Sequence, residues 1–183
     1  MRRVMLLLIM AILVSCGEES IPKPKAYLSL EYPAQGYNVL GVERPYVFEI
    51  GQNTSIKELP YKWLKVMYPK LKASVDITYR PVNENLRELF IEAEKLVLEH
   101  TVKADNISWR DFSNTENKVY GKLCQIEGNA ASQIQFHATD SSRHFIKGSL
   151  FFYAKPNYDS VYPAVEYIKE DMVRMMESLK WKD

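Results

Sequence analysis

The sequence predicts an α+β domain in which a mostly antiparallel sheet packs against two long amphipathic helices. Short strand-like runs broken by prolines fill the first third, two later stretches repeat apolar residues at helical spacing, and three strand-like runs follow one another through short turns. No repeat or low-complexity tract interrupts the chain from Ala26 on, so we expect one α+β domain over residues 26–183. Apolar residues make up 46% of the chain, enough for one sizeable core.

In the first third, prolines lie at the edges of the strand-like runs, where a missing N–H is tolerated. The candidate strands are Ala26–Tyr32, Tyr46–Ile50, Trp63–Tyr68 and Ala73–Tyr79. In the last of these, apolar and polar residues alternate, as in a half-buried strand. The stretches Gly51–Tyr61 and Arg110–Asn117 are interpreted as loops.

The first helix is predicted over Asn85–Thr101, where apolar residues recur at helical spacing with charged residues between them. Asn85 is expected to cap it. Glu88 stands three residues later, in the position that completes a capping box.

Three consecutive strands are predicted next, followed by the second helix. The strands are Lys118–Glu127, Ser132–Thr139 and Arg143–Ala154, and their short turns imply antiparallel neighbours. Ser160 is the expected N-cap of the final helix, which places Pro163 in its first turn. Its apolar stripe consists of Val161, Val165, Ile168, Met172, Met175 and Leu179. The element order is similar to the sandwich of Mog1/PsbP-like domains, an analogy of order that does not fix function.

The N-terminus predicts export and lipid attachment. Two arginines precede the uncharged run Val4–Val14, which is too short to span a bilayer comfortably and fits the apolar region of a signal peptide. Leu13, Ser15 and Cys16 are arranged as in the lipobox of bacterial lipoproteins. We therefore expect residues 1–15 to be a signal peptide and Cys16 to carry the lipid. The alternatives are an ordinary cleaved signal with an incidental cysteine, or a buried N-terminal helix.

Composition limits the partners of the mature chain. Pro22 and Pro24 favour an extended tether over residues 16–25. Without the first 15 residues, 22 of the 24 basic residues remain against 23 acidic ones, which gives no electrostatic case for binding nucleic acid or anionic lipid. With Cys16 acylated, Cys124 has no intramolecular partner, and a small buried apolar role is expected for it.

The sequence contains none of the common catalytic motifs, and no enzymatic activity, cofactor or metal is expected. It lacks a G-x-S-x-G elbow, a phosphate loop, G-x-G-x-x-G, H-E-x-x-H and C-x-x-C. A structural role is expected for His100, near the end of the first helix. His137 and His144 flank the turn at Asp140 and are weighed as metal ligands with it. Glu127 and Asp140 are weighed as an acid/base pair.

A docking surface for a partner is predicted instead around the last three strands. Its candidate residues are Gly128, Asn129, His137, Asp140 and His144. The stretch I-E-G-N-A-A-S offers Gly128 and Asn129 for positive φ and small residues that leave backbone accessible. The alternative is a tight turn followed by a strand that starts with small residues.

Several blocks, in this order along the chain, resemble the GldD family of gliding-motility lipoproteins of Bacteroidetes. They are P-K-P-K-A-Y, Y-P-K-L-K-A, E-H-T-V-K-A-D, V-Y-G, I-E-G-N-A-A-S, T-D-S-S-R-H-F-I-K-G and the closing P-N-Y-D-S…M-E-S-L-K-W. The resemblance implies a membrane-anchored envelope protein required for gliding, which in these bacteria is coupled to type IX secretion. It implies no enzymatic activity, and it carries over one position, Cys16 as the lipid site.

The leading hypothesis is a non-enzymatic accessory of the gliding and type IX secretion apparatus. It would be held to a membrane of the cell envelope by palmitate or another acyl chain, with its domain in the periplasm, and would act through protein–protein contacts. The alternative is an envelope lipoprotein that binds a small molecule or glycan in a crevice between sheet and helix. A third hypothesis, an envelope hydrolase, requires Glu127, His137, Asp140 and His144 to meet in one cleft.

Overall fold

The computed structural model describes residues 32–99, 104–153 and 157–182. The predicted signal peptide, the tether, Cys16 and His100 lie outside these ranges, as does the predicted strand Ala26–Tyr32 apart from its last residue. In the described residues, no helix is both long enough and apolar enough to span a membrane.

The described elements are eleven strands, two α-helices and two single-turn 3-10 helices at Pro60–Lys62 and Pro69–Leu71. The strands are β1 (Tyr37–Val39), β2 (Tyr46–Val47), β3 (Glu49–Gly51), β4 (Ser55–Glu58), β5 (Leu64–Tyr68), β6 (Ala73–Pro81), β7 (Ala104–Asn114), β8 (Val119–Gly128), β9 (Ile134–Thr139), β10 (His144–Phe152) and β11 (Lys180–Trp181). The helices are α1 (Leu86–Leu98) and α2 (Tyr158–Glu177).

A large antiparallel sheet organises the fold. Seven strands are joined in the order β4-β5-β6-β10-β9-β8-β7, and every neighbouring pair is antiparallel. Two small sheets, β1 with β3 and β2 with β11, accompany it. The predicted α+β class with a large antiparallel sheet and two helices is confirmed.

The apolar face of the large sheet carries the main core. Side chains on β6, β9 and β10 that point to this face, such as Ile77, Phe136 and Leu150, are buried against α2. Five of the six residues of the predicted α2 stripe are fully buried, and Val161 packs at the edge of the core. Gly148 permits a close approach between strands, because a Cβ there would stand 2.2 Å from the ring of Phe136 on the neighbouring strand.

The opposite face of the sheet is more polar and is contacted by α1. On this face β6 presents Ser74, Asp76, Thr78 and Arg80, whereas β10 presents Phe145, Lys147, Ser149 and Phe151, as the strand alternation and register require. Helix α1 contributes Leu89 and Ala93 to a cluster with Phe145, and its later Val97 to a second cluster with Cys124 and Ile126. Helix α1 therefore crosses from β10 towards β8.

Helix α1 begins where it was predicted but lacks the expected capping hydrogen bond, whereas α2 begins earlier than predicted. Asn85 precedes α1, but its Oδ1 accepts a hydrogen bond from the Asn83 N–H, so the expected capping interaction is absent. Helix α2 begins at Tyr158 with Asn157 as N-cap, three residues before the predicted Ser160, whose hydroxyl instead donates to the Asn157 carbonyl. Pro163 consequently lies inside the helix, beyond the first turn.

Two stretches interpreted as loops contain strands. Arg110–Asn117 contains the second half of β7, and Gly51–Tyr61 contains β4. These two strands are the outermost members of the sheet, and most of their side chains are exposed. An edge strand without a buried face lacks apolar alternation, so the pattern that reveals inner strands is missing there. The predicted strand Tyr46–Ile50 is divided into β2 and β3, which pair with different partners.

Candidate functional site

The loop between β8 and β9 fixes the start of α2. Gly128 ends β8 with φ of 104°, a left-handed conformation that glycine adopts without strain. Asn129 is exposed, and its Oδ1 accepts a hydrogen bond of 3.0 Å from the Tyr158 N–H, one of the otherwise unpaired donors at the helix start. The contacts of Gly128 and Asn129 therefore connect the sheet to the start of α2.

Asp140 organises the turn between β9 and β10. Its Oδ1 accepts hydrogen bonds from the N–H groups of Ser142, Arg143 and His144 at 2.8–2.9 Å, and its Oδ2 accepts the Ser142 hydroxyl. Burial alone would raise the pKa of Asp140, but these donors favour the carboxylate and lower the pKa to about 2. Asp140 is therefore an ionised turn residue near neutral pH.

His137 lies in the layer between the sheet and α1. It is only 4% exposed, with its ring stacked on Phe145 at a centroid distance of 5.9 Å and meeting the edge of Phe90 at 5.3 Å. Burial, together with the positive charges of Lys122 and Lys147, lowers the pKa of His137 to about 4. The imidazole is neutral at physiological pH and presents almost no surface to a partner.

His144 points to the opposite face of the sheet. Its ring stacks on Trp181 of β11 at a centroid distance of 5.2 Å, and its Nδ1 lies 2.9 Å from the Tyr79 hydroxyl. The register explains the separation: His137 stands opposite Lys147, an odd number of residues from His144 along β10. Adjacent residues of a strand alternate between faces, so the sheet lies between the two histidines.

The five predicted surface residues therefore do not form one surface. Gly128, His137 and His144 are buried, whereas Asn129 and Asp140 lie at opposite ends of β9. Glu127 lies at the Asn129 end, so it and Asp140 are separated by the length of β9, about 20 Å. In the part of the chain that the structure describes, no three His, Cys, Asp or Glu side chains are placed to hold a metal ion. Partner binding by any of the five residues stays a prediction.

Cys124 is buried among apolar side chains. It is a free thiol packed with Val97, Ile126 and Ala130, and burial raises its pKa to about 12. A thiol without thiolate character is a poor nucleophile, so the structural role expected for Cys124 agrees with its surroundings.

A groove beside α1 opens on the polar face of the sheet. We call it the α1 groove, and it encloses about 330 Å³, within the range of small-molecule sites. Its lining residues come from the segment before β5, from β6, from α1 and from β10; they are Trp63, Asp76, Thr78, Arg80, Leu89, Glu92, Ala93, Phe145, Lys147, Ser149 and Phe151. Aromatic and apolar side chains form its walls, and a polar strip crosses its floor.

The two acidic residues of the α1 groove are already paired. Asp76 accepts a 2.5 Å hydrogen bond from the Lys65 ammonium and a 2.7 Å hydrogen bond from the Ser74 hydroxyl. Glu92 of α1 lies 3.6 Å from the guanidinium of Arg80. Both ion pairs join neighbouring elements, and in each the carboxylate that lines the groove is paired with a cationic side chain.

Lys147 contributes the remaining charge of the groove. Burial lowers the pKa of its ammonium, while the fields of Glu92 and Glu99 raise it. Within the described residues, Lys147 makes neither an ion pair nor a side-chain hydrogen bond. A partly buried ammonium without a close counter-ion carries a desolvation cost that an anion would offset.

Sequence reasoning missed this groove because its residues come from four separate segments. Only the pairing of β6 with β10 places Thr78 opposite Lys147, and only the path of α1 leaves that part of the sheet uncovered. One signal was present in the sequence: Asp76 and Thr78 alternate with apolar residues on a strand that lies inside the sheet, which indicates a polar face.

A second polar cluster lies under α2 and has a packing role. Asp171 is 2% exposed and accepts a 3.0 Å hydrogen bond from the Tyr68 hydroxyl, and the nearby Tyr37 hydroxyl also favours its carboxylate. Burial raises the pKa of Asp171, and the two hydroxyls oppose that change. Gly51 is required beside it, because a Cβ there would stand 2.7 Å from the carboxylate. The cluster connects β3, β5 and α2.

Comparison with known proteins gives the family. The family model described as gliding motility lipoprotein GldD matches residues 17–181, nearly the whole chain. A search of curated proteins finds no match. The resemblance inferred from the sequence blocks is confirmed, and this chain belongs to the GldD family of gliding motility lipoproteins.

Proposed function

We propose that this protein is a non-enzymatic accessory of the gliding and type IX secretion apparatus, held in the cell envelope by an acyl chain on Cys16. The observation that carries the proposal is the family match, which begins at Gly17, directly after the lipobox cysteine. The first 15 residues then act as the signal peptide, and the folded domain lies in the periplasm beside its partners.

The fold supports a role through contacts. Within the described residues the main core packs without a disulfide, and Cys124 is a buried free thiol in a separate apolar cluster. The residues required for a hydrolase do not meet: His137 and His144 lie on opposite faces of the sheet, and Glu127 and Asp140 lie at opposite ends of β9. The analogy of element order to Mog1/PsbP-like sandwiches, with both helices amphipathic, stays part of this proposal.

The two outer strands of the sheet are the surfaces from which contacts are best tested. Trp109 is exposed on β7, and Lys57 is exposed on β4 at the other end of the sheet. A photo-crosslinking amino acid at each position, introduced into the chromosomal copy, should capture neighbouring proteins in living cells. Captured gliding or secretion components, together with loss of gliding in a deletion strain, are the expected result. Normal gliding after deletion, with no motility or secretion component captured at either position, would reject the proposal.

A second candidate function is small-molecule binding, which the α1 groove favours. The groove lies between the sheet and a helix, as that hypothesis requires, and its volume suits a small ligand. Its aromatic walls are formed by Trp63, Phe145 and Phe151, and its charged side chains determine which ligands it favours.

A further inference from the structure

The floor of the α1 groove brings together three side chains that can donate hydrogen bonds. Thr78 stands directly opposite Lys147 in the pairing of β6 with β10, and Ser149 follows two residues later on the same face of β10. Opposite Cβ atoms are about 5 Å apart and next-but-one residues about 7 Å apart, so the three donors share one small patch. Within the described residues, none of the three side chains makes a hydrogen bond.

The charge of this patch is positive. Asp76 is matched by Lys65, and Glu92 is matched by Arg80, which leaves the Lys147 ammonium as the charge without a close counter-ion in the described part of the groove. A cationic ligand would compete with two existing ion pairs, whereas an anionic ligand would complete a third.

The rest of the groove is apolar. Phe145 and Phe151 flank the polar strip on β10, Leu89 and Ala93 of α1 form one wall, and the indole of Trp63 lies at the other side, held by its N–H donating 2.9 Å to the Tyr79 carbonyl. A ligand with an apolar body would bury its surface against these side chains while its polar end reaches the strip.

From this geometry we infer that the α1 groove binds a small carboxylate with an apolar body, its carboxylate held by Lys147, Thr78 and Ser149. The inference rests on the second candidate function and is independent of the motility role. Lys147 supplies the charge, the two hydroxyls fix the orientation of the carboxylate, and the aromatic walls enclose the remainder.

The probe is 4-phenylbutyrate, compared with its neutral isostere 4-phenylbutyramide. Isothermal titration calorimetry uses the full mature chain purified into lipid nanodiscs, with nanodiscs lacking the protein as reference. Wild-type protein should bind the acid about tenfold to a hundredfold more tightly than the amide, as expected for one charge-assisted interaction in a partly buried site.

Two lysine variants distinguish binding in the groove from a general attraction of the acid to positive charge on the protein. Lys147→Met keeps the apolar stem and should abolish the preference for the acid. Lys122→Met is the matched control, because Lys122 is also partly buried on this face of the sheet and also acts on His137, yet lies outside the groove. It should retain the preference.

A milder variant keeps the test decisive if Lys147→Met does not fold. Ser149→Ala should weaken binding of the acid about threefold to tenfold and leave binding of the amide nearly unchanged. The inference is overturned if wild-type protein binds acid and amide equally, if it does not bind the acid, or if Lys147→Met keeps the preference. None of these results bears on gliding, which the deletion strain tests separately.

Discussion

Replacing His137 with phenylalanine should make the protein less sensitive to acid. The imidazole titrates near pH 6.5 in an unfolded chain but near pH 4 in the fold, because burial and two nearby lysines oppose its protonation. Between these values the unfolded chain binds a proton that the folded chain does not. Stability that is complete above pH 6.5 is therefore lost as the pH falls towards 4.

The size of this loss follows from the difference in pKa. Each unit is worth about 1.4 kcal/mol, so the full window costs about 3 kcal/mol and acidification to pH 4.5 costs about 2–3 kcal/mol. Asp140 does not interfere, because its pKa of about 2 places its own acid-dependent loss below pH 4. Phenylalanine keeps the ring contacts with Phe90 and Phe145. Any constant packing cost cancels when one variant is compared at two pH values.

The assay is urea unfolding at pH 7.0 and 4.5 for wild type and His137→Phe. Wild type should lose about 2–3 kcal/mol more than the variant on acidification. An NMR titration of the imidazole in the folded protein gives the pKa directly. Equal losses of stability in the two proteins, or an imidazole that titrates near pH 6.5 in the folded state, would show that the pKa of His137 is not lowered by the fold.

Two further predictions concern packing. Gly148→Ala should lower the free energy of unfolding by about 1–3 kcal/mol, because the added Cβ would meet the ring of Phe136. Gly41→Ala should be nearly neutral, because a Cβ there would have no atom within 4 Å. Equal thermal midpoints for the two variants would contradict this contact. Tyr68→Phe should lower the free energy of unfolding by about 1.5–3 kcal/mol, because it removes a hydrogen bond to the buried Asp171 carboxylate. Unchanged urea unfolding would contradict a stabilising role for this hydrogen bond.

The elements with one buried face could be predicted from the sequence, and those without one could not. Helix α1 and strands β6, β8, β9 and β10 were located because burial imposes a periodic pattern on their residues. Strand β7 was missed because it is an exposed edge. The start of α2 was misplaced because the backbone donor of Tyr158 is satisfied by Asn129, an asparagine 29 positions earlier in the chain.

The candidate site shows the same limit more strongly. His137 and His144 are close in sequence, but the β9–β10 register sends them to opposite faces. Thr78 and Lys147 are far apart in sequence, yet the pairing of β6 with β10 places them opposite each other. In a hairpin, the face on which each side chain lies can be predicted once the length of the turn is known. Pairing between strands that are distant in sequence is not encoded in any local pattern.

The proposed function depends on lipid attachment at Cys16, and the chain offers its own control. The only cysteines are Cys16 and Cys124, so a radioactive palmitate label in a deletion strain complemented with each alanine variant distinguishes them. We expect Cys124→Ala to be labelled and to restore gliding, whereas Cys16→Ala should be unlabelled and should not restore it. A wild-type protein that takes up no label, or a Cys16→Ala strain that glides normally, would contradict the proposed function.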